Sequence, residues 1–268
     1  GESDGSLEMF GMDIPNSFEM SRKVYSPYLE LQYAMDMGLI LSSTLRTDIP
    51  ENFDREYTPR VGALYTYEPT HSTLKANWGK GFKLPSFFAL SNPIVGNPLL
   101  RPETSEGYDF SFIQEFDFKK TRLEITPFKN TYKNVIDIDN GPPPRMVNRP
   151  KVKTKGIQTG LDLELLESFH LSGHAVYTEI DIPGTDLVMR NSPEWQGGVQ
   201  FQWRLMENWM MSFASIYVDR RLDTSIPTGD LMLNHYIKTN ASLLWKMRKN
   251  IQLALAVDNL FNEIYDEA

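Results

Sequence analysis

The chain has 268 residues, no cysteine, a hydrophobic fraction of 41%, and 35 acidic residues against 27 basic ones. The acidic balance, with no lysine-rich run, argues against nucleic acid as a partner, because phosphate binding needs a clustered basic surface. A membrane helix is excluded as well: it needs about 20 consecutive apolar residues, and a stretch such as Ile251 to Val257 is short and interrupted by Gln252. A β-barrel remains open, because its strands show apolar side chains to lipid only at every second position.

The first residues, Gly1-Glu2-Ser3-Asp4, lack the charged-then-apolar pattern of a signal peptide. Strands are predicted from near Gly5, with a long polar connection at about Asp13 to Lys23. From Pro27 onward, Leu29, Leu31, Tyr33, Met35 and Met37 interleave with Glu30, Gln32, Ala34 and Asp36. A short turn near Asp36 to Gly38 follows, then a long connection over Thr47 to Tyr57, a short turn over Glu68 to Ser72 and a long connection over Gly81 to Thr104. Tyr108, Phe110 and Phe112 alternate with Asp109 and Ser111 before a turn at Asp117 to Lys120, and Asp137 to Pro150 is long and Pro-rich. Ile157, Thr159, Leu161, Leu163 and Leu165 alternate with Gln158, Gly160, Asp162 and Glu164 up to a turn at Glu167 to Ser168. After a long connection at Asp181 to Pro193, Val199, Phe201, Trp203 and Leu205 alternate with Gln200, Gln202 and Arg204, ending in a turn at Met206 to Asn208. A last long connection, Arg220 to Asn234, and a last turn, Arg248 to Asn250, lead to Ile251, Leu253, Leu255 and Val257.

Short and long connections therefore alternate, as in outer-membrane barrels with tight periplasmic turns and long extracellular loops. The predicted strands, about 9 to 16 residues each, suffice for a tilted crossing. Aromatics near their ends, Tyr25, Tyr28, Tyr57, Trp78, Trp195, Trp203, Trp209 and Trp245, suit an interfacial girdle. The fold class expected is all-β: a transmembrane antiparallel β-barrel segment of about thirteen strands. An odd count leaves edges unpaired in hydrocarbon, so residues 1–268 are expected to be one partial barrel domain.

Gly79-Lys80-Gly81-Phe82-Lys83-Leu84-Pro85-Ser86-Phe87, followed by Gly96-Asn97-Pro98-Leu99-Leu100-Arg101-Pro102-Glu103, resembles paired motif segments of TonB-dependent outer-membrane receptors. Val257-Asp258-Asn259-Leu260-Phe261-Asn262-Glu263-Ile264-Tyr265 resembles the element just before that family's final strand. The resemblance covers almost the whole chain and implies a barrel of about 22 strands, of which this would be roughly strands nine to twenty-one. It also implies a plug domain and a final strand that the sequence does not contain. The implied function is capture and import of a scarce, bulky nutrient, a ferric siderophore first and cobalamin second. The implied partners are the TonB energy-coupling complex, through the plug, and outer-membrane lipid and lipopolysaccharide.

Substrate contacts would then come from Phe87, Phe88, Arg145, Arg149, Arg190, Trp195, Arg220 and Arg221, aromatic and cationic residues in or beside the predicted extracellular loops. The family-motif positions are Pro85, Ser86, Asn97, Pro98, Pro102, Glu103, Asn259, Leu260 and Phe261. His71, His170, His174 and His235 are not expected to converge on a metal, and no cofactor is expected. Gly79-Lys80-Gly81 lacks the ending of a phosphate loop, and Gly141-Pro142-Pro143-Pro144 reads as a stiff loop tip. Acidic pairs such as Asp137/Asp139 and Asp219/Asp223 sit at loop bases with nothing to position a nucleophile, so the chain is read as a non-enzyme. Two rivals share the alternation: a passive porin-type channel, and a soluble all-β enzyme or carbohydrate-binding protein.

Overall fold

The computed structural model describes residues 2–3, 6–9, 12–15, 18–117, 120–139, 141–184, 188–225 and 229–266, with side chains described from Met20 onward except at 224–225. Two small ribbons come first: Glu2–Ser3 (β1) pairs with Phe18–Glu19 (β4), and Ser6–Met9 (β2) pairs with Met12–Pro15 (β3). The predicted start near Gly5, itself outside the described residues, falls among these ribbons and not in the main sheet.

That sheet has thirteen strands and is antiparallel throughout. It runs through Val24–Tyr25 (β5), Tyr28–Met35 (β6), Leu39–Pro50 (β7), Glu56–Tyr67 (β8), Ser72–Lys83 (β9), Glu103–Phe116 (β10) and Thr121–Asp139 (β11). It continues with Arg145–Leu166 (β12), Phe169–Asp181 (β13), Trp195–Met206 (β14) and Trp209–Val218 (β15). A separate hairpin, Arg221–Ser225 (β16) with Gly229–Leu233 (β17), intervenes before Tyr236–Arg248 (β18) and Ile251–Val257 (β19) complete the sheet. β5 and β6 lie end to end along the same partner, β7, so they trace a single crossing.

The period-2 pattern sorts side chains onto two faces. On β14, Trp195, Val199, Phe201 and Trp203 share one face and Gln196, Gln200 and Gln202 the other. The register carries the apolar face across neighbours: Phe201 lies opposite Phe213 and stacks on it at 4.7 Å, and it stacks on Phe169 at 5.8 Å. Trp209 and Trp245 pair across β15 and β18 with rings nearly parallel at 5.1 Å. This face is uncovered: Tyr108 is 52% exposed, Trp195 47% and Leu255 65%. A soluble sandwich would press that face against a second layer. Instead the buried apolar side chains are few, and their main cluster, Ala89, Leu90 and Leu100, sits in one connection beyond the strand ends. A continuous apolar exterior of this kind calls for lipid as its solvent.

The alternation of tight and long connections holds, but the long ones are more ordered than the sequence suggested. Asp137 to Pro150 is mostly strand: β11 and β12 pair out to Asp139 opposite Arg145, leaving Gly141–Pro144 in the tip. β11 has 19 residues and β12 has 22, longer than expected. At about 3.3 Å per residue β12 extends roughly 70 Å, well beyond a tilted crossing, so its outer part stands clear of the bilayer. Likewise β7 continues to Pro50 and β8 restarts at Glu56, and Arg220 to Asn234 folds into the β16–β17 hairpin.

Candidate functional site

The connection between β9 and β10, residues 84–102, is the most organised structure at the long-connection end. Pro85 is fully buried, and its carbonyl accepts from Arg22 Nη1 at 3.2 Å. Pro85 also ends the β-ladder, and Ser86 starts a short helix, Phe87–Ser91 (α1), by accepting a cap hydrogen bond from the Ala89 amide at 3.0 Å. Asn92 ends that helix and folds the next turn, its Oδ1 accepting from the amides of Ile94 and Val95. The chain then doubles back so tightly at Gly96 that a Cβ there would stand 2.4 Å from the Asn92 carbonyl oxygen.

Asn97 fastens this loop to the β11–β12 hairpin. Its amide donates to the Ala89 carbonyl (2.8 Å), its Nδ2 to the Met146 carbonyl (2.8 Å), and its Oδ1 accepts from Leu99 N (3.0 Å) and Arg145 Nη2 (3.1 Å). Pro98 lines the adjoining recess, and the Pro102 carbonyl accepts from Asn134 Nδ2. Asn148 spans the same seam, bonding both Arg101 N and Arg101 O and donating to the Asn134 carbonyl. Glu103 closes the loop, accepting from Ile136 N at 2.7 Å and pairing with Lys83 at 3.4 Å. Asn134 holds a left-handed φ of 56°, a conformation asparagine tolerates better than most residues.

Between this loop, residues 20–22 and the turn after β7 lies a recess of about 870 Å3. Arg22 stands over the rings of Phe87 (5.0 Å) and Phe53 (5.7 Å), and burial lowers its guanidinium pKa below the ordinary arginine value. Arg101 adds a second cation, and Glu51, Asp54 and Glu56 line the same recess. The recess offers ring faces, guanidinium donors and carboxylates to a bulky solute, the mixed lining of a binding pocket.

The residues expected to contact substrate separate into groups. Phe87, Phe88 and Arg145 belong to the docked loop and its hairpin, with Phe88 45% exposed. Arg149 and Arg190 meet at Asp137, at 3.0 and 3.6 Å, beside a smaller recess of about 370 Å3, and Arg190 also reaches Asp230 at 3.8 Å. Trp195 lies on the apolar face against Tyr177, at 4.8 Å between rings. Arg220 is exposed beside Asp219. Arg221 is buried, stands over the Tyr236 ring and donates to the Asp266 carbonyl. The second motif element is a turn: Asn259, at φ 50°, exchanges hydrogen bonds with Glu263, and the Leu260 amide donates to the Thr239 carbonyl. Phe261 is 73% exposed.

Sequence reasoning missed Arg22, Asn92, Asn134 and Asn148. The partners of Arg22, Asn134 and Asn148 lie up to 63 residues away in the chain, those of Asn92 within its own turn, and only at Asn134 did the left-handed preference of Asn give a local signal. The histidines are dispersed: His71 sits in the turn before β9 and His170 pairs with Asp162 at 3.4 Å.

Residues 4–260 match the family model described as TonB dependent receptor-like, beta-barrel. The chain is 26% identical over 270 residues to the vitamin B12 transporter BtuB of Vibrio vulnificus, across 96% of this chain and 41% of that protein. It is 22% identical over 279 residues to the iron-regulated outer membrane virulence protein of Vibrio cholerae, across 93% of this chain and 42% of that one. The crystal structure of the siderophore receptor PirA from Pseudomonas aeruginosa superposes with a TM-score of 0.73 at 22% identity, over 91% of this chain and 44% of that one. The chain thus spans less than half the length of these relatives.

Proposed function

We propose that this chain, which belongs to the TonB-dependent receptor-like β-barrel family, supplies barrel wall and outward loops to a receptor that captures a scarce, bulky nutrient and imports it. Its place is the outer membrane, and its relatives are transport receptors. The long-connection end faces outward in this reading, and the tight turns face the periplasm, where TonB supplies the energy for import.

The observation that carries the proposal is the docked 84–102 loop and the recess of about 870 Å3 that it helps to line. That volume falls within the usual range for sites that enclose a small-molecule ligand. The Arg22, Phe53 and Phe87 arrangement, with Arg101 near it, suits an anionic aromatic chelate, which makes a ferric siderophore the first cargo. Cobalamin is the second reading, favoured by the 96% coverage of this chain in its match to a vitamin B12 transporter.

The test is titration of the full-length protein, extracted from outer membranes, with ferric catecholate and hydroxamate siderophores and with cyanocobalamin, followed by tryptophan fluorescence. Saturable quenching by a ferric chelate, with a rise in protein abundance under iron starvation, is the expected result. Saturation by cyanocobalamin alone moves the assignment to cobalamin. Steady ion conductance without any saturable ligand identifies a passive channel and sinks the receptor reading.

A further inference from the structure

The pairing registers leave the outer part of the longest hairpin without strand neighbours among the described residues. The ladder from β10 stops at Thr104 opposite Lys133, and the ladder from β13 stops at Asp181 opposite Lys153. β11 and β12 pair on past both, to Asp139 opposite Arg145. Residues 134–139 and 145–152 therefore form a two-stranded ribbon beyond the sheet, and such a ribbon is marginal in water without lateral support.

Its two faces are supported by different connections. Ile136 lies opposite Asn148 and Ile138 opposite Met146, so these four share a face. That face meets the 84–102 loop: Ile136 and Met146 pack on Ala89, Leu90 and Leu100, and Asn148 bonds Arg101. Val135, Asp137, Val147 and Arg149 occupy the alternate positions and leave on the other face. There the connection between β13 and β14 arrives with Arg190. Its Nη1 stands 3.6 Å from Asp137 Oδ1, while Arg149 Nε donates to Asp137 Oδ2 at 3.0 Å. All three side chains are mostly buried, which spares the contact much of the solvent screening that makes surface ion pairs weak. Ile182, itself buried, and Leu222 line the small recess around them.

Arg190 is also fixed from behind. Its backbone bridges Leu222 of β16, the next amide, Asn191, donates to the Leu222 carbonyl at 2.8 Å, and its Nη2 reaches Asp230 of β17 at 3.8 Å. A single residue thus fastens the ribbon to the β16–β17 hairpin. Arg190 lines the recess of about 370 Å3 and is not among the described residues that line the one of about 870 Å3.

We propose that Arg190 is a positioning residue for nutrient capture: without touching the solute it braces the ribbon on the face opposite the 84–102 loop, and so keeps the larger recess assembled. Asn134 of the ribbon and Pro98, Leu99, Leu100, Arg101 and Pro102 of the loop line that recess, so a ribbon that leans away takes part of the lining with it. The inference rests on the reading of this recess as the capture site. Its kinetic signature differs from that of a direct contact. A brace sets the fraction of molecules in the competent shape, and apparent affinity falls with that fraction, so its loss slows association. Loss of a solute contact speeds dissociation instead.

The test uses full-length receptor in mild detergent, as wild type, R190Q, R190K, D137N, N97A and N97A/R190Q. Hydrogen exchange is read first, without ligand. R190Q is expected to speed exchange in residues 134–139 and 145–152 and, through them, in 84–102, and D137N, which cuts the same link from the ribbon side, is expected to do likewise. Exchange equal to wild type in both variants overturns the brace. Stopped-flow fluorescence with a ferric catecholate follows. R190Q is expected to slow association about fivefold with dissociation unchanged, and R190K, which keeps the cation, to restore most of the rate. In N97A, where the loop is already released, R190Q is expected to add little, as for two groups acting through one element. Unchanged association overturns the proposal, as does faster dissociation, which would make Arg190 a solute contact, or an undiminished effect of R190Q in the N97A background. Failure of the catecholate to saturate wild type counts against the siderophore reading alone, because the exchange comparison stands without ligand and the same rates are then read with cyanocobalamin.

Discussion

Arg145 and Asn97, 48 residues apart in sequence, meet at 3.1 Å, guanidinium on carboxamide oxygen, while Asn97 Nδ2 bonds the carbonyl of Met146, the next residue after Arg145. One side chain thereby ties the 84–102 loop to the tip of the longest hairpin.

Replacing Asn97 with alanine removes three side-chain hydrogen bonds at this seam. The loop is expected to lose about 2 kcal/mol of docking free energy while the barrel stays intact. Limited proteolysis should then cut within residues 84–102 of the variant far faster than in wild type, with unchanged heat-modifiability on gels. Equal cleavage of the two proteins would contradict the clamp.

Arg22 joins the recess by two ring contacts and one hydrogen bond. Arg22→Ala is expected to weaken ferric-chelate binding by about tenfold, a loss of roughly 1.4 kcal/mol. Fluorescence titration measures it, and a dissociation constant equal to that of wild type would remove Arg22 from the site.

The two faces of β14 make a paired test of sidedness. Phe201→Arg puts a cation on the lipid face between Phe169 and Phe213, where the cost is about 2 to 4 kcal/mol near the bilayer midplane. Gln200→Arg, one residue away on the opposite face, is expected to cost little. Folding yields into vesicles read the difference, and equal yields would mean the faces are misassigned.

Trp209 and Trp245 stack at the short-turn end, where ring packing across β15 and β18 braces two crossings. Trp245→Ala is expected to destabilise the inserted barrel by about 3 kcal/mol through lost burial and stacking. Urea unfolding from vesicles checks this, with Trp78→Ala as a comparison from outside that pair.

The crossings were legible because lipid demands an apolar residue at every second position, as Leu161 and Leu163 on β12 and Phe201 and Trp203 on β14 show. Past the bilayer that demand ends. Val135, Ile136 and Ile138 then keep no alternation, and the sequence read as a loop where β11 continues to Asp139. Phe87 and Arg145 could be placed in outer connections from the sequence, but their docking could not. It depends on Asn134 and Asn148 reaching backbone atoms of other turns, which leaves no periodic trace. The motif segment around Asn97 was recognisable as a pattern, and the structure supplies its physical meaning as a fastening.

That fastening grips the loop largely by main-chain atoms: the carbonyls of Pro85, Ala89, Arg101 and Pro102, and the amides of Leu99 and Arg101. Side chains directed away from the seam, Phe88 at 45% exposure and Leu99 at 79%, take little part in holding it. Anchor and outward surface are therefore separately mutable. A lineage can exchange the residues at 88 and 99 to suit a new solute and inherit the same scaffold, so divergence in what is recognised need not pass through a misfolded ancestor.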